Sequence, residues 1–151
     1  MSTGDKTALM RILKNTPEFK SFEVVVAEEL IDSYLSDPEK PEYNILIAED
    51  DVELAGYICY GETPCTVGTW DIYWVAVARE KRNRGIGKAL SEAAETAVKK
   101  ARGRMIFIET SSTPLYENTR SFYLGRGYEL IARIPDFYMP GDDKLIMRKK
   151  L

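Results

Sequence analysis

Residues 70–108 read WDIYWVAVAREKRNRGIGKALSEAAETAVKKARGRMIFI, and their order of patterns decides the fold. Trp70–Val77 is a run of apolar and aromatic residues of strand type. From Ile86 onward, apolar residues recur at helical spacing (Ile86, Ala89, Leu90, Ala93, Ala94, Ala97, Val98, Ala101), and Gly103 closes the pattern. Met105–Ile108 is a second strand built for burial. Strand, helix and strand in this order form a right-handed βαβ unit with parallel strands.

The rest of the chain is arranged around that unit. Residues 8–15 and 18–36 read as helices; in the second, Phe19, Phe22, Val26, Leu30 and Tyr34 recur three and four apart, with Pro38 beyond the end. Each is expected to pack one face on a sheet. Asn44–Glu49 and Leu54–Tyr60 read as an antiparallel hairpin turning at Asp50-Asp51, and Pro64-Cys65-Thr66 reverses the chain before Trp70. A helix from Pro114 to Leu124 has Thr113 as N-cap, and strands at Tyr128–Ile134 and Lys144–Met147 are separated by a loop, Pro135–Asp143. These elements predict a mixed α/β fold in one domain over residues 1–151: a mostly antiparallel central sheet, one parallel βαβ unit, and helices on both faces.

Composition narrows the chemistry. A chain of 151 residues with 44% hydrophobic and 30% charged side chains reads as globular. No apolar run approaches the roughly 20 residues of a bilayer span, and the N-terminus has no basic leader or apolar h-region, so the expectation is a cytoplasmic protein with no membrane partner. The net charge of −3 argues against nucleic acid, whose non-specific binding rests on phosphate neutralisation. There is no histidine, which removes Ser-His-Asp and Cys-His catalysis, and no metal is expected. Cys59 and Cys65 have no partner that would make a thiolate.

Within KRNRGIGKAL (81–90), Arg82-x-x-Gly85-x-Gly87 lies at a strand-to-helix turn. Free N–H groups at a helix start, glycines that let the backbone approach closely, and the cationic side chains of Arg82, Arg84 and Lys88 together suit a phosphate. The alternative is a solvated basic turn, and Lys81 reads as solvated. Lys88-Ala89 lacks the Lys-Ser/Thr of a P-loop, and the G-x-G is not the G-x-G-x-x-G of a dinucleotide fold.

With this loop the chain resembles the GNAT superfamily of N-acyltransferases, whose coenzyme A loop reads Arg/Gln-x-x-Gly-x-Gly/Ala. A second GNAT motif, aromatic-Tyr followed after three residues by Gly-aromatic, is matched by Phe122-Tyr123 and Gly127-Tyr128. The resemblance covers roughly residues 44 to 150. It implies that Val75, Ala76 and Val77 run beside the pantetheine arm of acetyl-CoA, with the backbones of Val75 and Val77 pairing to it, and that Arg82, Asn83, Arg84, Gly85, Ile86, Gly87 and Lys88 hold the pyrophosphate. It also implies that Tyr123 is the general acid, and a phenol with an ordinary pKa near 10 does keep its proton at neutral pH. The family's coenzyme-contacting asparagine is replaced here by Tyr116, with Asn118 two residues on. The family's first strand has little room before the first helical pattern, so it is absent or supplied by a second copy in a homodimer.

An amine nucleophile must lose a proton. Glu109 interrupts a strand otherwise built for burial, and it matches a strand-end base in some GNAT enzymes. Asp71 matches the base position of the histone-acetyltransferase branch, and a period-two reading puts Asp71, Tyr73, Val75 and Val77 on one face unless a bulge changes the parity. A salt bridge for Glu109, a solvated carboxylate for Asp71, or a water chain to bulk are the alternatives. The segment IPDFYMPGDD (134–143), with Glu62 and the Thr63–Thr66 turn, could line a cleft for a cationic amine; the alternative is an exposed hairpin. The resemblance thus implies acetyl transfer from acetyl-CoA to a primary amine of a small molecule or protein, by direct attack, with an N–H of Val77 stabilising the oxyanion. The other reading is a non-catalytic coenzyme A-binding module.

Overall fold

A computed structural model describes residues 1–37, 42–50 and 53–151; Pro38 and Asp51, expected to end a helix and to form a turn, lie outside the described residues. The chain opens on α1 (Lys6–Lys14) and α2 (Ser21–Ser36), followed by β1 (Asn44–Glu49), β2 (Leu54–Glu62) and β3 (Thr69–Val77). It continues through α3 (Ile86–Lys100), β4 (Met105–Ser111), α4 (Glu117–Leu124), β5 (Glu129–Met139) and β6 (Asp142–Lys150). The six strands form one sheet in the order β1-β2-β3-β4-β6-β5, and only β3 and β4 are parallel neighbours. No strand precedes α1 among the described residues, so β1 is an edge. No helix among them is long and apolar enough to cross a membrane.

Both faces of the sheet are covered, because β2 is apolar at successive positions. Tyr57 and Cys59 pack with Leu9, Leu13, Ala27 and Ile31 of α1 and α2, whereas Ile58 and Tyr60 pack with Leu90, Ala94 and Val98 of α3 and Tyr123 of α4. Leu13 and Ile31 are fully buried, each stabilising the fold by about 1.5–3 kcal/mol. Of the expected stripe, Phe19, Leu30 and Tyr34 pack partly buried against this core, but Phe22 and Val26 are exposed and the buried positions of α2 are Val24, Ala27 and Ile31. Three consecutive valines allow more than one helical face, and contact with α1 selects among them.

Two departures from regularity shape the sheet. The β2–β3 register skips between Cys59↔Trp74 and Tyr60↔Ile72, leaving Tyr73 as an extra residue. Trp70 and Ile72 therefore join the α3/α4 core, Trp74 and Ala76 the α1/α2 core, and Val75 and Val77 the α3/α4 core again. The expected common face for Asp71, Val75 and Val77 does not exist; the bulge separates Asp71 from the two valines. Second, β3 and β4 pair only from Thr69↔Met105 to Ile72↔Ile108. Beyond that rung β3 stays with β2 as far as Val77↔Gly56, and β4 stays with β6 as far as Ser111↔Lys144. The sheet thus divides along the β3–β4 seam.

The expected loop Pro135–Asp143 is instead mostly strand, turning at Pro140-Gly141, with a register skip between Ile134 and Met139. Two carboxylates hold that irregular stretch: Asp143 accepts from the Asp136 N–H at 2.8 Å, and Asp136 accepts from the Gly141 N–H at 2.7 Å. Side-chain acceptors replace the missing ladder bonds.

Candidate active site

The backbone of the glycine loop turns sharply and leaves the amides at the start of α3 outside the helical ladder. Asn83 and Gly85 both take left-handed conformations, with φ of 63° and 82°, and Gly85 is the residue from which α3 starts. The first helical bond runs from the Ala89 N–H to the Gly85 carbonyl at 2.9 Å, so the N–H groups of Ile86, Gly87 and Lys88 precede it. They carry the positive end of the helix dipole. A methyl group at Gly87 would lie 3.7 Å from Val77 and 3.9 Å from Phe122, which places the loop against both the end of β3 and the second sequence motif.

The loop's charges have separate roles. Arg84 is exposed, and Lys88 lies 3.9 Å from Glu92, one turn along α3. Lys81 is not solvated: it is 6% exposed and pairs with Asp50 at 2.8 Å and Glu53 at 3.4 Å. Arg82 forks onto Glu18, in the α1–α2 connection, with bonds of 2.8 and 2.9 Å, and its Nε donates to the Val77 carbonyl at 3.4 Å. The guanidinium holds the Glu18 carboxyl below the usual carboxylate range. Tyr116 completes this clasp by donating its hydroxyl to the Glu18 carbonyl at 2.7 Å. Asn118 is exposed on α4.

The two candidate carboxylates lie at different depths along the β3–β4 seam. Asp71 is paired across to Phe107, within the shared rungs, and accepts a hydrogen bond from the Thr63 hydroxyl. Glu109 is the first β4 residue beyond the last shared rung; it is exposed and bound to Lys144 at 2.5 Å. Of the two sequence readings for Glu109, a base on a strand built for burial or a salt-bridge partner, the free protein shows the salt bridge, and the side chain opens to solvent. Tyr138 is nearby: its phenol is pushed up to about 12, mainly by burial and further by the carboxylates of Glu109, Asp142 and Glu23. Tyr73, the bulge residue, is likewise raised to about 12 by burial first and then by Asp71.

Tyr123 lies in the α3/α4 core, 5% exposed, with its ring edge-on to both Phe122 and Tyr128. Burial pushes its phenol well above the ordinary value; Glu95 adds to this and Arg126 opposes it. Its proton is therefore firmly held at neutral pH.

The family description "Acetyltransferase (GNAT) family" matches residues 8–128. The chain belongs to the GNAT acetyltransferase family. A GNAT-family protein from Desulfovibrio desulfuricans is 38% identical, with a TM-score of 0.94 over 98% of this chain and 93% of that one. An aminoglycoside 6'-N-acetyltransferase bound to coenzyme A is 22% identical, with a TM-score of 0.78 over 99% of this chain and 92% of the other. The PaiA N-acetyltransferase of Thermoplasma acidophilum, also with coenzyme A, shares 19% identity and a TM-score of 0.78 over 100% of this chain and 96% of that one. No curated protein matches the chain.

In this GNAT acetyltransferase the α3 N-terminus, Val75, Val77 and Tyr123 all lie on the α3/α4 side of the sheet, while Asp71 faces the other way. Sequence reading missed Glu18. A glutamate in a helix connection carries no local signal, and its partners are 64 and 98 residues away.

Proposed function

We propose that this protein is an acetyl-CoA-dependent N-acetyltransferase, one domain over residues 1–151, that acetylates a primary amine of a small molecule or protein. The observation that carries the reading is convergence on one face: the amide-rich start of α3 lies against Val77 and Phe122, beside strands that separate past Ile72↔Ile108. The donor set fits coenzyme A. Free N–H groups and basic side chains of residues 82–88 suit its pyrophosphate, and a strand edge at Val75–Val77 that β4 leaves unpaired suits an extended amide-bearing arm. Acetyl-CoA would supply an activated acetyl thioester. The aminoglycoside enzyme's name supports a small-molecule amine acceptor, and the acidic and aromatic residues Glu109, Asp142, Glu23 and Tyr138 would favour a cationic one.

Each residue then has a task. The Val77 N–H is a donor for negative charge developing on the acyl oxygen. Tyr123, with its proton tightly held, donates to the departing sulfur. Glu109, at the opening of the seam, accepts the amine proton, and Asp71 is the second candidate. Tyr116 and Asn118 remain candidates for coenzyme contact. A cytoplasmic location accords with this reading. Calorimetry with coenzyme A, followed by thiol-release assays with acetyl-CoA and a panel of amines, tests the proposal. Binding and turnover of at least one amine are expected; no coenzyme binding refutes it, and binding without turnover across the panel favours the non-catalytic module.

A further inference from the structure

Thr110 stands on β4 just past the place where β3 leaves it. It is 5% exposed, and its Oγ1 is buried without a hydrogen-bond partner among the described residues. The hydroxyls that follow it are all engaged. Ser111 donates to Asp142 at 2.6 Å, the Ser111 and Thr113 hydroxyls bond each other at 2.8 Å, and Ser112 accepts from the Asp143 N–H at 2.8 Å. Thr110 alone in this run has only its methyl group satisfied.

The β4–β6 ladder is unbroken through Ile106↔Lys149, Ile108↔Met147 and Thr110↔Leu145, so Thr110 shares a face with Ile106 and Ile108. Both of those belong to the α3/α4 core, together with Val75, Val77 and Tyr123. If packing were this position's whole task, valine would fill the same volume without burying a polar atom. A lone buried hydroxyl beside an opening between strands is placed for a ligand with its own polar groups.

We propose that Thr110 recognises the pantetheine arm of coenzyme A through a hydrogen bond from its hydroxyl to a secondary amide of the arm. This rests on the acetyltransferase reading above. An amide has one donor and one acceptor, and a hydroxyl can serve either. The edge of β3 can pair with one side of an extended arm; Thr110 gives β4 a polar group for the other.

The test is calorimetry of wild type, Thr110→Val and Thr110→Ser with coenzyme A, and with the nucleotide half of coenzyme A that lacks the arm, together with thermal unfolding of the free proteins. Thr110→Val should bind coenzyme A about five- to tenfold more weakly and the nucleotide half unchanged. Its free form should melt about 2–4 °C higher, since an unpaired buried hydroxyl is gone. Thr110→Ser should bind coenzyme A within twofold of wild type. Affinity of Thr110→Val within twofold of wild type, or an equal loss for the nucleotide half, would overturn the inference alone. Failure of the wild type to bind coenzyme A would instead overturn the acetyltransferase reading, and this one with it.

Discussion

Glu18→Gln isolates the clasp between the glycine loop and the α1–α2 connection. The substitution removes the charge that receives both prongs of Arg82 at 2.8 and 2.9 Å, and leaves the Tyr116 bond intact, because that bond goes to the backbone carbonyl. A dry charge-assisted hydrogen bond contributes about 1.5–3 kcal/mol, but an exposed ion pair contributes about 0–1. With 33% of the Arg82 side chain and 21% of the Glu18 side chain exposed, an intermediate loss of about 1–2 kcal/mol is expected. For a domain of this size that corresponds to roughly 3–6 °C in melting temperature. The pH dependence has a definite sign. Arg82 lowers the folded-state pKa of Glu18, so the stabilisation is present above the unfolded value of about 4.3 and is lost as pH falls through the depressed folded value. Thermal unfolding followed by circular dichroism should show the full gap between wild type and variant at pH 7 and a much smaller one near pH 3. A gap under 1 °C at pH 7, or an equal gap at both pH values, would refute the reasoning. The guanidinium cannot fork onto Glu18 and a phosphate with the same two Nη groups, so Glu18→Gln should also bind coenzyme A at least as tightly as wild type.

Tyr123→Phe keeps the buried ring and removes only the proton donor, so turnover should fall about a hundredfold while calorimetry finds coenzyme A affinity within twofold; undiminished turnover would remove its acid role. Glu109→Gln should depress turnover with coenzyme A affinity little changed, and Asp71→Asn should stay close to wild type; the reverse result would move the base to Asp71, and two indifferent variants would leave proton transfer to a water chain. Gly56→Ala would bring a methyl group to 2.7 Å from the Ala76 carbonyl oxygen and 3.3 Å from Leu90, and backbone cannot yield as a side chain does. The expected cost is about 1–3 kcal/mol, read as a lower urea midpoint, and an unchanged midpoint would count against the close approach of α3, β2 and β3.

The βαβ unit and the motif residues were legible because each rests on a short-range pattern: a helical stripe from Ile86 to Ala101, a strand on either side, and glycines where the backbone turns. Less legible were features decided by distant partners. Lys81 looks like one more exposed cation, but Asp50 and Glu53 from the β1–β2 region make it a buried one. For Glu109 the sequence offers a salt bridge as one reading but not its partner, which is Lys144 on the neighbouring β6. Phe22 and Val26 look like core, yet Val24 and Ala27 take the inner face. Proline and glycine in 135–143 suggested a loop, whereas the carboxylates of Asp136 and Asp143 carry the strands through it.

The most consequential illegible feature is one residue. Period-two patterning along WDIYWVAV assigns alternate side chains to fixed faces, and nothing local in the sequence announces that Tyr73 will be squeezed out of the ladder. Its extrusion lets a single strand turn Ile72, Val75 and Val77 toward α3 and α4 while Trp74 and Ala76 face α1 and α2. The bulge lies immediately next to the last rung that β3 shares with β4. The change of face and the opening of the seam are therefore one local event: a bulged strand bends and twists more strongly, and a neighbour that does not bend with it must part from it. The glycine loop and Tyr123 lie on the face that the valines join, and Asp71 lies on the other. On the proposed acetyltransferase reading, an amine approaching from the α1–α2 side and a thioester held on the α3–α4 side would meet at the seam, where Glu109 is the first residue of β4 beyond the last rung shared with β3.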